Sequence, residues 1–234
     1  MTLSSDELAR KLQLPRPCLM LVTDRSLCRG MTLAEAVRHA LEAGVNAVQF
    51  REKDLPAGEQ LMLASQIALQ TKGKALFIVN DRADVALALD AEGVQLPESG
   101  LPVAEARKVV GEGKLIGRSV HTLVGAREAE SAGADYVVFG PIYETGSHPG
   151  QASTGLEKLE EVVDNMSIPV LAIGGITAQN IRETLQSGAA GVAVMSPIMA
   201  AADPRAAAIE LFEALSRNPT RTSDTRARPS IGSG

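Results

Sequence analysis

This sequence predicts an α/β fold, a single (β/α)8 TIM barrel, on three observations. A short aliphatic run followed by a helical pattern recurs eight times at roughly equal spacing. A closed eight-stranded barrel requires that count, whereas an open doubly wound sheet usually stops at five or six strands. The chain has 234 residues, close to the roughly 250 typical of one such barrel. Aromatic residues make up only 3% and Trp is absent, so the core must be aliphatic, as in parallel strands buried on both faces.

The elements follow in order. Ser4, Ser5, Asp6 and Glu7 can cap an opening helix ending near Leu14, and Pro15 and Pro17 break it. Residues 1–16 are thus a lead-in and 17–217 the barrel. The first strand is read over Cys18–Asp24, and Thr32 caps a helix through Ala43 with Leu33, Ala36, Val37 and Ala40 on one face. Gly44 ends it, where a left-handed residue is easiest. The second unit pairs Ala47–Arg51 with a helix from about Gly58 to Thr71, and the third pairs Leu76–Asn80 with a short helix to Leu89. The fourth is Gly93–Leu96, after which Pro102 marks a helix start and Val110 its end. The fifth is Leu115–Ser119 with a helix over Leu123–Ala132, and the sixth is Tyr136–Phe139, a long loop to Ser153 and a helix over Leu156–Asn165. The seventh and eighth are Val170–Ile173 with Ala178–Ser187, and Gly191–Val194 with Pro204–Arg217. Residues 218–234 are polar, rich in Pro, Ser and Arg and without apolar periodicity, which predicts a disordered tail.

The totals exclude some partners. A net charge of -5 makes no electrostatic case for nucleic acid or an anionic membrane, so a bound phosphate must be held by local donors. No stretch approaches the roughly 18 apolar residues of a membrane span, and no signal peptide is visible. Cys18 and Cys28 form no metal or disulfide pattern, which fits reduced thiols and a cytoplasmic location.

In a parallel barrel the functional groups gather at the carboxyl ends of the strands. Gly174 and Gly175 after the seventh strand, with Met195 and Ser196 after the eighth, have the makings of a phosphate cradle, because glycines let backbone N–H groups approach an anion. The alternative is that these glycines only turn the chain. Arg51 and Lys53 share one face of an extended segment and suit a phosphate, diphosphate or carboxylate; alternatively they are solvated, or paired with Glu52 or Asp54. Asn80 and Asp81 can serve Mg²⁺, while Asp81 can equally pair with Arg51 or cap a helix. His121, two residues past Ser119, can take and give a proton near neutrality, or simply cap a helix at the rim. The loop Tyr143–Gly150 is rich in hydroxyls and glycine and is either a ligand clamp or a surface loop.

The motifs Gln49-Phe50-Arg51-Glu52-Lys53, Val79-Asn80-Asp81, Gly117-Arg118-Ser119-Val120-His121, Gly140-Pro141-Ile142-Tyr143, Ala172-Ile173-Gly174-Gly175-Ile176 and Val194-Met195-Ser196 resemble the thiamin phosphate synthase superfamily. The resemblance runs from about Leu21 to Leu215. It implies one of two activities on this barrel: a synthase joining a pyrimidine diphosphate to thiazole phosphate with Mg²⁺, or a metal-free tautomerase that aromatises the thiazole phosphate carboxylate. The synthase pattern has a Mg²⁺-binding Asp where this chain has Gly100, and a lysine in the loop where it has His148. Val94-Gln95-Leu96-Pro97 and the His121 motif look like the tautomerase, whereas Arg51, Lys53, Asn80 and Asp81 match the synthase.

The expectation is therefore a thiazole tautomerase, an isomerase without a cofactor. In it His121 moves the proton, Arg51 or Lys53 orients the carboxylate, and Asn80, Ser119, Thr145, Ser147, Gly174, Gly175, Met195 and Ser196 line the substrate and phosphate site. The alternative is a Mg²⁺-dependent synthase in which Asp81, helped by Glu98, holds the metal and Arg51, Lys53 and Ser147 hold the diphosphate. A third reading is a non-catalytic binder of thiazole phosphate. In each the partner is a small phosphorylated molecule; a homo-oligomer is left open.

Overall fold

The computed structural model describes residues 12–145 and 153–217. Parallel strands β1 Cys18–Val22, β2 Ala47–Phe50, β3 Leu76–Asn80, β4 Gly93–Leu96, β5 Leu115–Val120, β6 Tyr136–Phe139, β7 Val170–Ile173 and β8 Gly191–Val194 follow in chain order. They close into one barrel in that order, with β8 hydrogen-bonded back to β1. Between and after them lie helices α1 Leu33–Glu42, α2 Ala57–Thr71, α3 Ala83–Ala88, α4 Val103–Val110, α5 Leu123–Ser131, α6 Gly155–Asp164, α7 Ile181–Gln186, the single turn α8 Ser196–Met199, and α9 Pro204–Ser216. The predicted (β/α)8 barrel is the observed fold.

Local chemistry explains most of the boundaries. At α1 the Thr32 hydroxyl accepts from the Glu35 N–H while the Glu35 carboxylate accepts from the Thr32 N–H, a reciprocal capping box. Its apolar stripe Leu33, Ala36, Val37 and Ala40 is buried as the periodicity predicts. Helix α7 starts three residues later than the predicted Ala178, because residues 177–180 form a turn in which Asn180 Oδ1 accepts from the Thr177 N–H at 2.8 Å. The turn α8 was not predicted, since four residues are too few to show a period. The predicted opening helix falls largely, and the predicted tail wholly, outside the described residues; residues 12–15 are not helical.

The two-residue period of a strand sorts the side chains. Leu19, Leu21, Val48, Phe50, Phe77, Val79, Val94 and Ile116 face outward into the layer shared with the helices. Cys18, Met20, Val22, Ala47, Ile78, Leu115, Tyr136, Val138, Leu171 and Ala193 fill the interior, and Leu14 packs with them. Burial pushes the Cys18 thiol up to about 12, so it stays protonated and inert. Continuing inward along β2 to β5 gives a polar layer: Gln49, Asn80, Gln95 and Ser119. Among the described residues no helix is long and apolar enough to cross a membrane.

Close approach in the interior relies on glycine at β5. A Cβ on Gly117 would overlap Gln95 Oε1 and Tyr136 Cζ, atoms of the two flanking strands. Gly117→Ala should therefore overpack the barrel and cost about 1–3 kcal/mol, read as a lower urea midpoint at unchanged slope.

Candidate active site

The carboxyl ends of the strands form the mouth. At β1 and β2 a buried acid braces two loops. Glu52 Oε1 accepts from the Thr23 hydroxyl at 2.7 Å, and its carboxylate accepts from the Arg25 N–H at 3.2 Å and the Arg25 guanidinium at 3.1 Å. The same guanidinium grips Asp54 through two bonds of 2.6 Å. Thr23 Oγ1 also accepts from the Arg51 N–H at 2.9 Å. The two acids adjacent in sequence to Arg51 and Lys53 are therefore occupied, leaving Asp81 as the further acid that acts on Lys53. Neither cationic side chain makes a hydrogen bond or ion pair among the described residues. Burial, then the neighbouring Arg51, pulls the Lys53 ammonium below the usual lysine value, with Asp81 partly opposing.

At β3 and β4, Asn80 Oδ1 accepts from Gln49 Nε2 at 3.1 Å. Asp81 follows in a left-handed conformation, φ 63°, its N–H bonded to the Gln95 carbonyl at 2.9 Å. A Cβ at Gly100 would lie 3.1 Å from Asp81 Oδ1, so glycine there leaves that carboxylate uncrowded. Glu98 turns elsewhere: its carbonyl accepts from Arg118 at 2.6 Å, and its carboxylate lies 3.6 Å from His121 Nε2. Among the described residues no three His, Cys, Asp or Glu side chains could hold a metal together. Mg²⁺ carried on a diphosphate needs only one or two protein carboxylates, with phosphate oxygens and waters completing its shell. Asp81 fits that sharing arrangement.

At β5 the Ser119 hydroxyl accepts from Gln95 Nε2 at 3.0 Å. His121 Nδ1 is hydrogen-bonded to the Gly140 carbonyl. A carbonyl can only accept, so Nδ1 carries a proton and Nε2 is the nitrogen turned towards Glu98. Gly140 is required here, because a Cβ would overlap the Ile173 carbonyl of β7.

A cavity of about 300 Å³ occupies the β5 to β8 side of the mouth. Its lining includes His121, Thr145, Gly174, Gly175, Met195 and Ser196. Gly174 and Gly175 both have positive φ, 97° and 65°, which only glycine adopts readily. The Gly174 carbonyl is held by the Tyr143 N–H at 3.1 Å and the Gly175 carbonyl by Asn180 Nδ2 at 2.9 Å. A trans peptide sets its C=O and N–H on opposite sides, so the Gly175 and Ile176 N–H groups point away from those clamps. The N–H groups of Gly174, Gly175, Ile176, Met195 and Ser196 are not donated to any group among the described residues. Open N–H groups converging on one hollow suit an anion.

The sequence-predicted residues thus fall into two regions. Thr145, Gly174, Gly175, Met195, Ser196 and His121 share the cavity, while Arg51, Lys53, Asn80 and Asp81 lie at β2 and β3, roughly across the ring from β7. Ser147 and His148 fall outside the described residues. Sequence reasoning missed Arg25, Gln95 as the partner of Ser119, Glu98 as the partner of His121, and Asn180 as the clamp on Gly175. Only Asn180 had a local signal, its position three residues after Thr177.

Comparison with known proteins bears on the function. The family model described as "Thiamine monophosphate synthase" matches residues 19–198. A Geobacter sulfurreducens protein named putative thiamine-phosphate synthase is 45% identical over 208 residues, 88% of this chain and 96% of that protein. The thiamine-phosphate synthase of Haloarcula marismortui is 42% identical over 200 residues, 83% of this chain and 95% of that one. The structure of thiamine phosphate pyrophosphorylase from Pyrococcus furiosus superposes with a TM-score of 0.78 at 41% identity, covering 86% of this chain and 96% of that one.

These relatives overturn the expected tautomerase: two are named as thiamine-phosphate synthases and the third as a thiamine phosphate pyrophosphorylase, names for transferases rather than isomerases. The expectation of no cofactor rested on the tautomerase and falls with it. Gly100 and His148 point in sequence to lost machinery, yet Asp81 remains, and Arg51 and Lys53 are unpaired among the described residues. The chain belongs to the thiamine monophosphate synthase family.

Proposed function

We propose that this protein is a thiamine-phosphate synthase, joining a pyrimidine diphosphate to thiazole phosphate with release of diphosphate. The observation that carries the reading is the presence of two separate regions suited to anions on one barrel mouth. A thiazole phosphate carboxylate would also use two anion regions, but its carboxylate is met by one cation and no metal, whereas Arg51 and Lys53 beside a metal-sharing Asp81 suit a diphosphate carrying Mg²⁺. The likeness of 41–45% to proteins named for this activity supports the same reading.

In this reading the thiazole phosphate lies on the open N–H groups of Gly174, Gly175, Met195 and Ser196. A neutral backbone cradle suits a phosphate that is bound but not transferred. The diphosphate lies against Arg51 and Lys53. As its bond to the pyrimidine breaks, the electron pair leaves with the diphosphate oxygen, and these two charges stabilise it in a setting they already occupy. Asp81 would hold Mg²⁺, which would supply further neutralisation of the leaving group. Ser119, held by Gln95, and Asn80, held by Gln49, present polar groups of the inner layer to the rings between the two anions. His121, its Nδ1–H fixed on Gly140 and its Nε2 turned towards Glu98, stands at the cavity wall beside the substrate. Thr145 adds a cavity-lining hydroxyl.

Purified protein given pyrimidine diphosphate, thiazole phosphate and Mg²⁺ should form thiamin phosphate, and chelation should suppress it; absence of product under both conditions removes the reading. Gly175→Ala places a Cβ 2.6 Å from the Glu144 carbonyl and 2.7 Å from Tyr143 Cβ, so steady-state kinetics should show KM for thiazole phosphate rising roughly tenfold or more. Lys53 also sets a pH limb. Its folded pKa is depressed, so the ammonium is complete at low pH and is lost, as pH rises, sooner than for an ordinary lysine. Inorganic pyrophosphate binding, followed by calorimetry, should weaken on that alkaline side, and Lys53→Met should flatten the limb while lowering affinity throughout.

A further inference from the structure

The segment Arg51-Glu52-Lys53-Asp54 alternates in sign and is neutral overall. Left to itself it would pair internally, because Asp54 is an exposed carboxylate, 70% accessible, next in sequence to Lys53. An internally neutralised segment would make a poor diphosphate site. The structure avoids this through a cation from another loop. Arg25 lies in the 3-10 turn Arg25–Leu27 that follows β1. Its guanidinium spans Glu52 at 3.1 Å and Asp54 at 2.6 Å.

We propose that Arg25 is a positioning residue: by occupying Glu52 and Asp54 together, it keeps these two neighbouring acids from Arg51 and Lys53 and leaves both cations available to a diphosphate. The inference rests on the reading of Arg51 and Lys53 as the diphosphate site. Arg25 itself does not touch the ligand. It acts mainly by holding Asp54, since Glu52 is buried and also bonded to Thr23; these five charges sum to one positive, with Asp81 the further acid acting on Lys53. A lysine could not do this equally well, since a point-like ammonium lacks the planar fork that reaches two acids at once. The Arg25 hydrogen bond also holds the Asp54 carboxyl below its usual range, so the competitor stays ionised and stays clamped.

The buried acid makes the test practicable. Glu52, with a side chain 1% exposed, keeps the Thr23 hydroxyl and the residue-25 backbone N–H as donors when the guanidinium is removed. In Arg25→Gln the freed Asp54 turns to Lys53 or Arg51, and calorimetry with inorganic pyrophosphate should show affinity falling roughly tenfold, the scale of one charge-assisted contact. Asp54→Asn alone should bind within about threefold of wild type. The double variant Arg25→Gln/Asp54→Asn should recover most of the loss, which a merely structural role for Arg25 would not produce. Thermal melts accompany each variant. If Arg25→Gln does not fold, Arg25→Lys replaces it: one ammonium satisfies Glu52 and releases Asp54, with the same loss and the same rescue. Undiminished pyrophosphate binding in the folded Arg25 variant overturns the inference alone, as does a double variant that melts like wild type without recovering affinity. A wild type that fails to bind pyrophosphate overturns the cation-pair reading and this inference with it.

Discussion

Closure of the sheet is the constraint on which the rest of the protein depends. Once β8 pairs with β1, every strand has one face inside a ring and one under a helix, and the two-residue period assigns each side chain to one or the other. The interior is narrow enough that glycine is needed at Gly93, Gly117 and Gly191, where a Cβ would overlap or press on a neighbouring strand. The same alternation that buries Ala47 and Ile78 carries Gln49 and Asn80 to the inner layer two residues later. The mouth is thus the polar continuation of the core rather than an addition to it.

The mouth is also divided electrostatically. One side offers backbone N–H groups held open by hydrogen bonds to the opposite carbonyls, from Tyr143 and Asn180. The other side offers two cations whose neighbouring acids are engaged by Arg25. A neutral cradle and a charged one suit different tasks, because only a departing anion gains charge during the reaction and so benefits from full cations. This division fits the proposed transferase, because a departing diphosphate uses both cations where a bound carboxylate would need one.

The tautomerase expectation shows where reading residues one at a time misleads. Gly100 and His148 differ from the synthase pattern, and taken singly each difference subtracts from the chemistry. A metal shared with its substrate is held largely by the substrate, so one carboxylate fewer changes the site less than the count suggests. Glu98, offered in sequence as a helper to Asp81, faces His121 instead. Adjacency in sequence to a glycine in a metal position said nothing about which way that carboxylate turned.

The sequence by itself determined the order and number of strand–helix units, the Thr32 cap, and the presence of Arg51, Lys53, Asp81, His121, Gly174 and Gly175 at strand ends. These follow from periods and caps, which act over a few residues and can be read without knowing what packs against what. Tertiary structure alone decided which charges meet. Arg25 reaches Glu52 and Asp54 across 27 and 29 positions, and His121 binds the Gly140 carbonyl across 19. Such pairings depend on barrel closure bringing separate loops to one rim, and a sequence that alternates Arg, Glu, Lys and Asp is equally compatible with internal pairing. That choice, between a neutral segment and two available cations, was made by the fold.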